Sequence, residues 1–484
     1  MLPRPEAREI NREERIRARP QEVLTRPPER RVKDFDEVYL PWTLEMARTE
    51  AGRCLQCPDA PCVKACPLGN DIPLALWMTE HGDFESAAQV FQRTNNLADI
   101  CSRVCPQSRQ CESGCPHLAE ERPAVAIGRI EGILAGHSRK NAGWHAERPP
   151  WSGHRVAVVG SGPAGLTVAE LLARKGHCIT VFEEWPDGGG ILRYGIPRFK
   201  LDHSLVQKRL DFLHELGVQF VFDMCIGEVV SVDDLFSDGF EAVFLGTGAG
   251  CPAPVEIPGS GLSGVYQARD FLVRANVEQN LRPSELEDPP EVRGKVAVVG
   301  GGDTAMDCCR TALRLGAEEV VCYYRRTEDE LPGNPMDRKL AREEGMSFRW
   351  LVAPVRLLGD ARGHVRAMRL VRTTLGPRDS SGRRRPEPVP CSEFEVCADT
   401  VVLALGFTPD PTLPLSTPGL KARDEGLLMV DPATGRSTRN RVWAGGDNVR
   451  GPSLVAHAVA QARAAALDIH EALSSGMAGA GSLR

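Results

Sequence analysis

The sequence predicts an α/β fold in which two parallel-sheet domains follow an α-helical domain. The first observation is the order β-branched strand, Gly-rich turn, helix and second strand, which begins with RVAVV at 155 and recurs with KVAVV at 295. A strand–helix–strand unit of this kind builds a parallel sheet. The second observation is that eight of the 16 cysteines lie between Cys54 and Cys115, among helical segments.

Composition excludes several classes of partner. Lys and Arg total 59 and Asp and Glu total 65, a formal net charge of −6, so we expect neither nucleic acid nor an acidic membrane surface as a partner. Hydrophobic residues make up 42%, but no apolar run is long enough to predict a membrane span. The N-terminal stretch contains acids and no apolar segment, which does not fit a secretory signal. We therefore expect a cytoplasmic protein with reduced thiols.

The cysteines follow two patterns within a helical region, with one helix predicted inside 40–53 and another inside 72–94. The patterns are C-x2-C-x4-C-x3-C-P from Cys54 and C-x3-C-P-x4-C-x3-C-P from Cys101. Eight thiolates suit two [4Fe–4S] clusters, and in two-cluster ferredoxins the Cys before Pro binds the other cluster. We therefore expect interleaved ligands: Cys54, Cys57, Cys62 and Cys115 for the first cluster, and Cys66, Cys101, Cys105 and Cys111 for the second.

Structural zinc and unligated core thiols are the alternatives for these cysteines. Zinc sites usually pair two C-x2-C units or include His, whereas only one C-x2-C occurs here. The pattern favours iron–sulfur clusters. The remaining eight cysteines are scattered, and the adjacent Cys308 and Cys309 are predicted to pack inside a helix.

The first glycine-rich turn, GSGPAG, lies between strand 155–159 and a helix. Gly160 permits the tight turn, Gly162 lets backbone N–H groups approach a pyrophosphate, and Gly165 allows close packing of helix and strand. Pro163 and Ala164 open the helix, whose N-terminus attracts phosphate. Glu183 ends the next strand, where a carboxylate accepts hydrogen bonds from an adenosine ribose.

The second turn, GGGDTA, repeats this arrangement with Ala at the third position of the fingerprint, which that position tolerates. Its second strand ends in Arg325 and Arg326 instead of an acid, and two guanidinium groups suit a 2′-phosphate. This favours NADPH over NADH; a solvated basic edge is the alternative. The residues expected to contact this nucleotide are Gly300, Gly302, Asp303, Thr304, Ala305, Arg325 and Arg326.

Three further segments complete the prediction. Strand-to-loop crossings at 244–250 and 401–407 bring Gly248 and Gly406 near the two nucleotides. Residues 276–294 are polar and Pro-rich and predict a linker, and residues 376–392 predict an exposed loop. Residues 474–484 predict a flexible tail.

Taken together, these motifs resemble those of the small (β) subunit of bacterial glutamate synthase and its relatives, over about residues 30 to 473. The relatives include the N-terminal half of dihydropyrimidine dehydrogenase and the large subunit of NADH-dependent ferredoxin:NADP oxidoreductase. Besides the cysteines and both turns, the resemblance rests on GGGILRYGIPRFKLD (188–202) and VWAGGDNVRGPSLVAHAVAQAR (442–463). At Cys101 the pyrimidine-reducing relatives carry a glutamine ligand, so the Cys here favours the synthase or bifurcating branches.

The resemblance implies FAD at the first turn, NADPH at the second and a disulfide-reductase-like arrangement of the two domains. It implies a helical domain with two [4Fe–4S] clusters at 1–149, an FAD domain at 150–290 and 408–484, and an NADPH domain at 291–407. Hydride transfer from NADPH to FAD needs no side chain as general base, and Gly190, Leu192 and Asp447 position it. Further flavin contacts are expected at Gly189, Gly446 and Ala456, with a helix N-terminus around 452–456 facing the flavin. Segment 330–345 follows the family loosely and is expected only to cover the nicotinamide side.

The absences in the sequence indicate an electron-input subunit that needs a partner. No (β/α)8 segment, no G-x-S-x-G motif and no N-terminal Cys nucleophile is present. The expected partner is a large, electron-accepting subunit like that of glutamate synthase, which makes L-glutamate from glutamine and 2-oxoglutarate. A subunit of a ferredoxin:NADP transhydrogenase or another reductase complex is the alternative. A non-redox metal-binding scaffold is the alternative from another class.

Overall fold

The N-terminal domain consists of short helices that carry both cysteine runs. The computed structural model describes residues 10–141, 148–254, 256–379 and 382–475. Several helices begin at side-chain caps, for example at Asp71, whose side chain accepts from Leu74 N, and at Asp83, which accepts from Ser86 N. The helices are α1 (Arg12–Arg17), α2 (Pro28–Arg31), α3 (Leu44–Ala51), α4 (Pro61–Ala65), α5 (Ile72–Glu80), α6 (Phe84–Gln92), α7 (Ala98–Val104) and α8 (Ile127–Asn141), with 3₁₀ turns at Gln107–Arg109, Cys111–Gly114 and Pro116–Glu120.

The first sheet domain begins directly after this helical domain. Its elements are β1 (Arg155–Val159), α9 (Pro163–Ala173), β2 (Cys178–Phe182), α10 (Ile191–Tyr194), α11 (His203–Glu215), β3 (Gln219–Val221), α12 (Val232–Ser237), β4 (Ala242–Leu245) and the short β5 (Cys251–Pro252). Val156 to Val159 are all buried, as a central strand covered on both faces requires.

The second sheet domain follows, and an antiparallel sheet extends it. Its elements are β6 (Val265–Gln267), α13 (Ala268–Asn276), β7 (Lys295–Val299), α14 (Asp303–Arg314), β8 (Glu319–Tyr324), α15 (Pro335–Glu343), β9 (Ser347–Trp350), β10 (Val352–Gly359), β11 (Val365–Arg378), β12 (Arg384–Pro388), β13 (Phe394–Cys397), β14 (Thr400–Leu403) and β15 (Phe407–Thr408). The chain then returns to the first domain through α16 (Thr412–Ser416), β16 (Val442–Ala444), α17 (Asp447–Arg450) and α18 (Val455–Ser474).

Both main sheets are parallel and share one topology. The first has the order β16-β4-β1-β2-β3 and the second the order β6-β14-β7-β8-β9. In each, the strand before the glycine turn lies at the centre, so that the turn opens at the carboxyl edge, where ligands bind in such folds. The repeated unit predicted from the sequence is therefore present twice.

The boundary between the two sheet domains lies earlier than the expected position between 290 and 291. Strand β6 pairs with β14 in the second sheet, with Val265 opposite Val401, and Phe271 of α13 lies in the core of that domain. The predicted linker at 276–294 is likewise wrong in part. It contains 3₁₀ turns at Gln279–Leu281 and Ser284–Leu286, and Leu286 is buried.

The expected exposed loop at 376–392 is also corrected by the structure. Strands β11 and β12 pair there as an antiparallel hairpin, with Thr373 opposite Pro388. The period-2 pattern was hidden because Pro386 and Pro388 stand in the strand, positions that only an edge strand accepts. The predicted tail lies outside the described residues except for Ser474 and Ser475.

The helical domain shares a hydrophobic core with the first sheet domain. Leu97, Ile100 and Cys101 of the helical domain lie in one buried cluster with Val158 and Leu172. Polar contacts reinforce the junction, because Arg463 donates to the carbonyl oxygen of Thr94 at 2.6 Å. Among the described residues, no helix combines the length and the apolar character needed to cross a bilayer.

Candidate functional site

One cleft of about 1570 Å³ runs between the two sheet domains and contains both glycine turns. Gly160 and Gly162 line one end, and Gly300 and Gly302 line the other. Both predicted nucleotide sites therefore open into the same cleft.

The first glycine turn has the backbone features that a pyrophosphate site needs. Gly160 has φ +93°, and a Cβ there would stand 2.6 Å from the carbonyl oxygen of Gly246. At Gly165 an added Cβ would meet the oxygen of Gly160 at 1.9 Å, so the helix approaches the strand as predicted. A Cβ on Gly162 would contact nothing within 4 Å. No side chain among the described residues caps α9 at Gly162, so its N-terminal amides face the cleft, which fits an anion.

The acid at the end of β2 faces the same turn. Glu183 lines the cleft, and its Oε2 accepts from the backbone N and the Oγ of Ser161 at 2.9 and 2.5 Å. Burial raises the pKa of Glu183, although the Ser161 hydrogen bonds oppose this. Pro163, Ala164 and Gly248 also line the cleft, in agreement with their expected positions near the first nucleotide.

The segment after β2 supplies a second wall, with corrections to the expected residues. Gly190 lines the cleft together with Ile191, which is 51% exposed. Leu192 was expected there but is fully buried in the shared core. Gly189, expected as a flavin contact, is not part of this cleft wall, and a Cβ added to it would meet Val206 Cγ1 of the buried core at 2.6 Å. The short helix α10 turns successive side chains to different sides, which the sequence run alone did not reveal.

The C-terminal segment closes the first nucleotide site. Gly446 and Asp447 line the cleft, and burial raises the pKa of Asp447 to about 6. Leu454 and Val455 at the start of α18 also line it, so the N-terminus of this long helix faces the cleft as expected. Ala456, however, is buried in the shared core and does not line the cleft.

The second glycine turn repeats the first. At Gly300, with φ +149°, an added Cβ would meet the oxygen of Ala404 at 2.3 Å, while a Cβ on Gly302 would contact nothing within 4 Å. Asp303 and Thr304 at the start of α14 line the cleft, as does Gly406. Ala305 instead lies in the domain core, so its contribution is helix packing and not nucleotide contact.

Arg325 and Arg326 stand at the end of β8 but point to different surroundings. Both contribute to the cleft wall. Arg325 is exposed, whereas Arg326 is 4% exposed and its Nη2 contacts Asp379 Oδ2 at 2.7 Å. The two arginines were predicted to bind one phosphate together. In the structure the guanidinium of Arg325 is exposed, whereas that of Arg326 is paired with Asp379.

The first set of cysteines surrounds one small cavity. Cys54, Cys57, Cys62 and Cys115 all line it, with apolar neighbours such as Ile72. Burial raises the pKa of Cys54 to about 12, and the neighbouring thiols of Cys62, Cys57 and Cys115 add to this. Four thiols that repel one another as anions in a buried pocket fit a cationic metal centre.

Of the second set of cysteines, Cys66, Cys101 and Cys105 pack in the core shared with the first sheet domain, whereas Cys111 lies in the core of the helical domain. A side-chain hydrogen bond with Cys101 and burial raise the pKa of Cys105, and the charge of Cys111 contributes further. Burial also raises the pKa of Cys66, again with a contribution from Cys101. Val104 and Pro106, on both sides of Cys105, line the large cleft. The structure thus places Cys54, Cys57, Cys62 and Cys115 around one cavity and Cys66, Cys101, Cys105 and Cys111 near one another. Their assignment as the ligands of two clusters stays a prediction.

Within the described residues, no three His, Cys, Asp or Glu side chains converge closely enough for a single metal ion. The donor chemistry is sulfur alone at both places, which fits [4Fe–4S] ligation.

Lys200 is a cleft residue that the sequence argument did not assign. Its Nζ lies 3.0 Å from Asp307 Oδ1 and 3.1 Å from Asp337 Oδ2, so it links the first domain to α14 and α15 of the second. Burial alone would lower the pKa of Lys200, but the two carboxylates outweigh burial and raise it. Lys200 is visible in the sequence as the lysine of GIPRFKLD, but its acidic partners Asp307 and Asp337 lie more than a hundred positions away.

Comparison with known proteins assigns the family. A profile described as "Dihydropyrimidine dehydrogenase domain II, 4Fe-4S cluster" matches residues 31–142, and one described as "Pyridine nucleotide-disulphide oxidoreductase" matches residues 154–462. The "Glutamate synthase [NADPH] small chain" of Halomonas elongata is 40% identical over 453 residues, which is 92% of this chain and 94% of that protein. The chain belongs to the glutamate synthase small-chain family.

Other relatives of this small-chain family member are consistent with that assignment. The "Putative oxidoreductase AegA" of Escherichia coli is 41% identical over 453 residues, covering 91% of this chain and 68% of that protein. The structure of "Mycobacterium tuberculosis FprA in complex with NADPH" has a TM-score of 0.56 at 22% identity and covers 69% of this chain and 87% of that one. This likeness confirms the predicted disulfide-reductase-like fold.

Family membership establishes the class of the protein and its cofactors. This chain is an NADPH-dependent flavin and iron–sulfur oxidoreductase. Its cofactors are FAD, NADP(H) and the 4Fe–4S type of cluster. The sequence prediction of oxidoreductase chemistry is confirmed, and the non-redox scaffold is excluded.

Proposed function

We propose that this protein is the electron-input subunit of a glutamate synthase. It would oxidise NADPH in the large cleft and deliver electrons through its cysteine-bound clusters to a large partner subunit. One observation carries the proposal: a single cleft contains both glycine turns and is also lined by Val104 and Pro106, which flank Cys105. The cleft that contains both nucleotide sites is therefore adjacent to Cys105.

The residues divide between the two nucleotides as follows. FAD would lie at the first turn, with its pyrophosphate over Gly162 and the uncapped N-terminus of α9, and its ribose toward Glu183. NADPH would lie at the second turn, over Gly302 and Asp303. When bound, FAD accepts a hydride and releases electrons singly, chemistry that no side chain supplies.

This chain's own residues hold and orient the reactants. Asp447 and the N-terminus of α18 face the middle of the cleft, where a helix N-terminus favours negative charge. Lys200, fixed by Asp307 and Asp337, holds the two domains at one separation across the cleft. Near contact between two bound rings depends on that separation.

The cysteine sets would act in the order of their distance from the cleft. Cys66, Cys101 and Cys105 pack in the core shared with the first sheet domain and, together with Cys111, would hold the proximal cluster. Cys54, Cys62 and Cys115 pack in the core of the helical domain and, together with Cys57, would hold the distal cluster, nearer the partner.

The partner assignment follows from the relatives. The small chain of Halomonas elongata is named as part of an NADPH glutamate synthase, so we propose a large subunit that converts 2-oxoglutarate and glutamine to glutamate. Nucleic acid and membrane are not proposed as partners. The cysteine ligands must stay reduced before cluster assembly, which suits the cytoplasm.

The decisive experiment is anaerobic purification followed by iron, sulfide and flavin analysis and titration with NADPH. We expect about eight iron atoms per FAD, as two four-iron clusters require, and bleaching of the flavin absorbance by NADPH. Cys111→Ala should lower the iron content by half and block delivery to the partner, while NADPH-dependent dye reduction continues. Zinc in place of iron, or no bleaching, would refute the proposal.

A reductase with another partner is the second candidate, and the similarity to AegA favours it. AegA is as similar to this chain as the glutamate synthase small chain, 41% against 40% identity. Mixing the purified protein with a glutamate synthase large subunit distinguishes the candidates. NADPH oxidation that depends on glutamine and 2-oxoglutarate supports the synthase, and dye reduction without it supports the other reductase.

A further inference from the structure

One face of helix α1 lies against the first set of cysteines. Asn11 caps the helix, because its Oδ1 accepts from the backbone N of Glu14 at 3.2 Å. Arg12 and Arg15 are three positions apart and therefore share a face of the helix. Both of these side chains contact the cysteine loop at 54–57.

Arg15 anchors the helix to this loop. Its Nη1 donates to the carbonyl oxygen of Cys54 at 2.8 Å, and its Nη2 donates to Glu80 Oε1 and Oε2 at 2.8 and 2.9 Å. The side chains of Arg15 and Glu80 are mostly buried, and the carboxylate of Glu80 offsets the charge of Arg15. Arg15 therefore holds α1 in place without adding a net charge beside the cysteines.

Arg12 reaches a sulfur atom of the same set. Among the contacts of Cys57 is a hydrogen bond that Arg12 Nη2 donates to its Sγ at 3.8 Å. Burial raises the pKa of Cys57, an effect that the charge of Arg12 opposes and the charge of Asp59 increases. A guanidinium group thus lies beside a sulfur that the proposed function assigns to the distal cluster.

We propose that Arg12 raises the reduction potential of the cluster held by the first set of cysteines, and that Arg15 is a positioning residue that keeps Arg12 at Cys57. This inference rests on the proposed function, which puts the distal cluster at these cysteines. Reduction adds one negative charge, which a nearby cation stabilises. The potential of such a cluster depends on net charge and on hydrogen bonds to the sulfurs, and Arg12 supplies both.

The direction of this effect suits the proposed order of electron transfer. A higher potential at the distal cluster favours the passage of an electron to it from the proximal cluster. Helix α1 precedes residues 31–142, the range that the iron–sulfur profile matches. The resemblance to that profile therefore does not account for Arg12.

The test is a redox titration of the anaerobically purified full-length protein, monitored by electron paramagnetic resonance of the reduced clusters. Arg12→Gln should lower the ratio of reduced to oxidised cluster at a fixed potential at least about threefold for one of the two clusters, which is about 28 mV at 59 mV per tenfold. The expected shift is modest because Arg12 is exposed and solvent screens its charge. Arg12→Lys, which keeps the charge, should return the ratio to within about twofold of the wild type.

Arg17→Gln is the matched control on the same helix. The side chain of Arg17 is 77% exposed and contacts Glu13, so its loss should change neither ratio by more than about twofold. The iron content of each variant should stay at about eight atoms per FAD. A Cys111→Ala background, which is expected to lack the second cluster, should show the same shift on Arg12→Gln.

The outcomes separate this inference from the proposed function. If Arg12→Gln keeps its iron and both potentials match the wild type, or if both clusters shift equally, the inference is overturned and the proposed function stands. Loss of iron from Arg12→Gln, or failure of Arg12→Lys to restore the ratio, also overturns it, because the contact would then be structural. If the wild type holds no iron, the inference and the proposed function both fail.

The positioning role of Arg15 is tested by non-additivity. Arg15→Gln should lower the potential of the same cluster. In an Arg12→Gln background it should change the ratio by less than about twofold, because residues that act through one another do not add. A full additional shift would show that Arg15 acts through its own charge, and would overturn its positioning role.

Discussion

Glu344 is the residue at which charge most clearly stabilises the contact between the N-terminal segment and the second sheet domain. Its side chain is fully buried and accepts from three arginines: Arg31 Nε at 2.8 Å, Arg310 Nη2 at 2.9 Å and Arg314 Nη1 at 2.7 Å. Burial by itself would raise the pKa of Glu344. The hydrogen bonds and charges of Arg310 and Arg314 outweigh burial and lower it to about 2.

The lowered pKa of Glu344 gives the stability expected to be lost when its charge is removed. A depression from 4.5 to about 2 corresponds to about 3 kcal/mol of stability from the charged carboxylate. Because the folded-state pKa is lowered, this contribution is complete above about pH 4.5 and is lost as the pH falls toward 2. Breaking a buried ion pair typically costs about 3–5 kcal/mol, which agrees with the value obtained from the pKa of Glu344. Glu344→Gln should therefore destabilise this region by about 3 kcal/mol at pH 7.

Native-state hydrogen exchange of α14 and α15 is the suitable assay, because a chain of several domains does not unfold in one step. Glu344→Gln should accelerate exchange of these amides roughly 100-fold. Glu343→Gln is the control, since Glu343 also contacts Arg31 but is 35% exposed, and its loss should be about 1 kcal/mol or less. Acceleration below about tenfold, or equal acceleration in the control, would refute the reasoning.

Two further predictions concern the cleft and the pH dependence of stability. Gly302→Val should fold normally, since a Cβ there meets nothing within 4 Å. It should lower NADPH affinity at least about tenfold while the FAD content is unchanged. Loss of FAD as well would contradict separate sites for the two nucleotides. Burial, followed by the charges of His470 and His154, lowers the pKa of His177 to about 4, so the neutral form is favoured in the folded state. Stability should be complete above about pH 6.5 and fall by about 1–2 kcal/mol toward pH 4, after allowance for solvent screening. Native-state hydrogen exchange of the β2 amides, which follow His177, should show a smaller fall in stability in His177→Gln, and an equal fall would exclude this group as the cause.

The sequence was most informative where backbone geometry or ligand chemistry leaves few choices. The turns at Gly160 and Gly300 were found because only glycine fits against a neighbouring carbonyl oxygen at positive φ. The Cys-Pro steps likewise predict that Cys66 and Cys115 are interleaved between two ligand sets. These features depend on local sequence.

Features that depend on tertiary packing were missed. Leu192 and Ala456 were assigned to the cleft because they lie in motif segments, but their side chains point into the shared core. The pairing of β11 with β12 was missed because Pro386 and Pro388 obscured the period-2 pattern of β12. The start of the second domain at β6 was missed because a three-residue strand carries too little periodicity to be recognised.

The shared core beneath Cys101 has a consequence for electron tunnelling. Leu97 and Ile100 of the helical domain pack in one apolar cluster with the first sheet domain, whereas Lys200 and Arg31 make charged contacts to the second. Two small apolar clusters add to these ion pairs, one joining Tyr194 to Val273 and one joining Phe199 to Leu340. The path from Ala164, beside the first glycine turn, to Cys101 lies within a different core, so a movement of the second domain during nucleotide exchange would leave the tunnelling distance along this path unchanged.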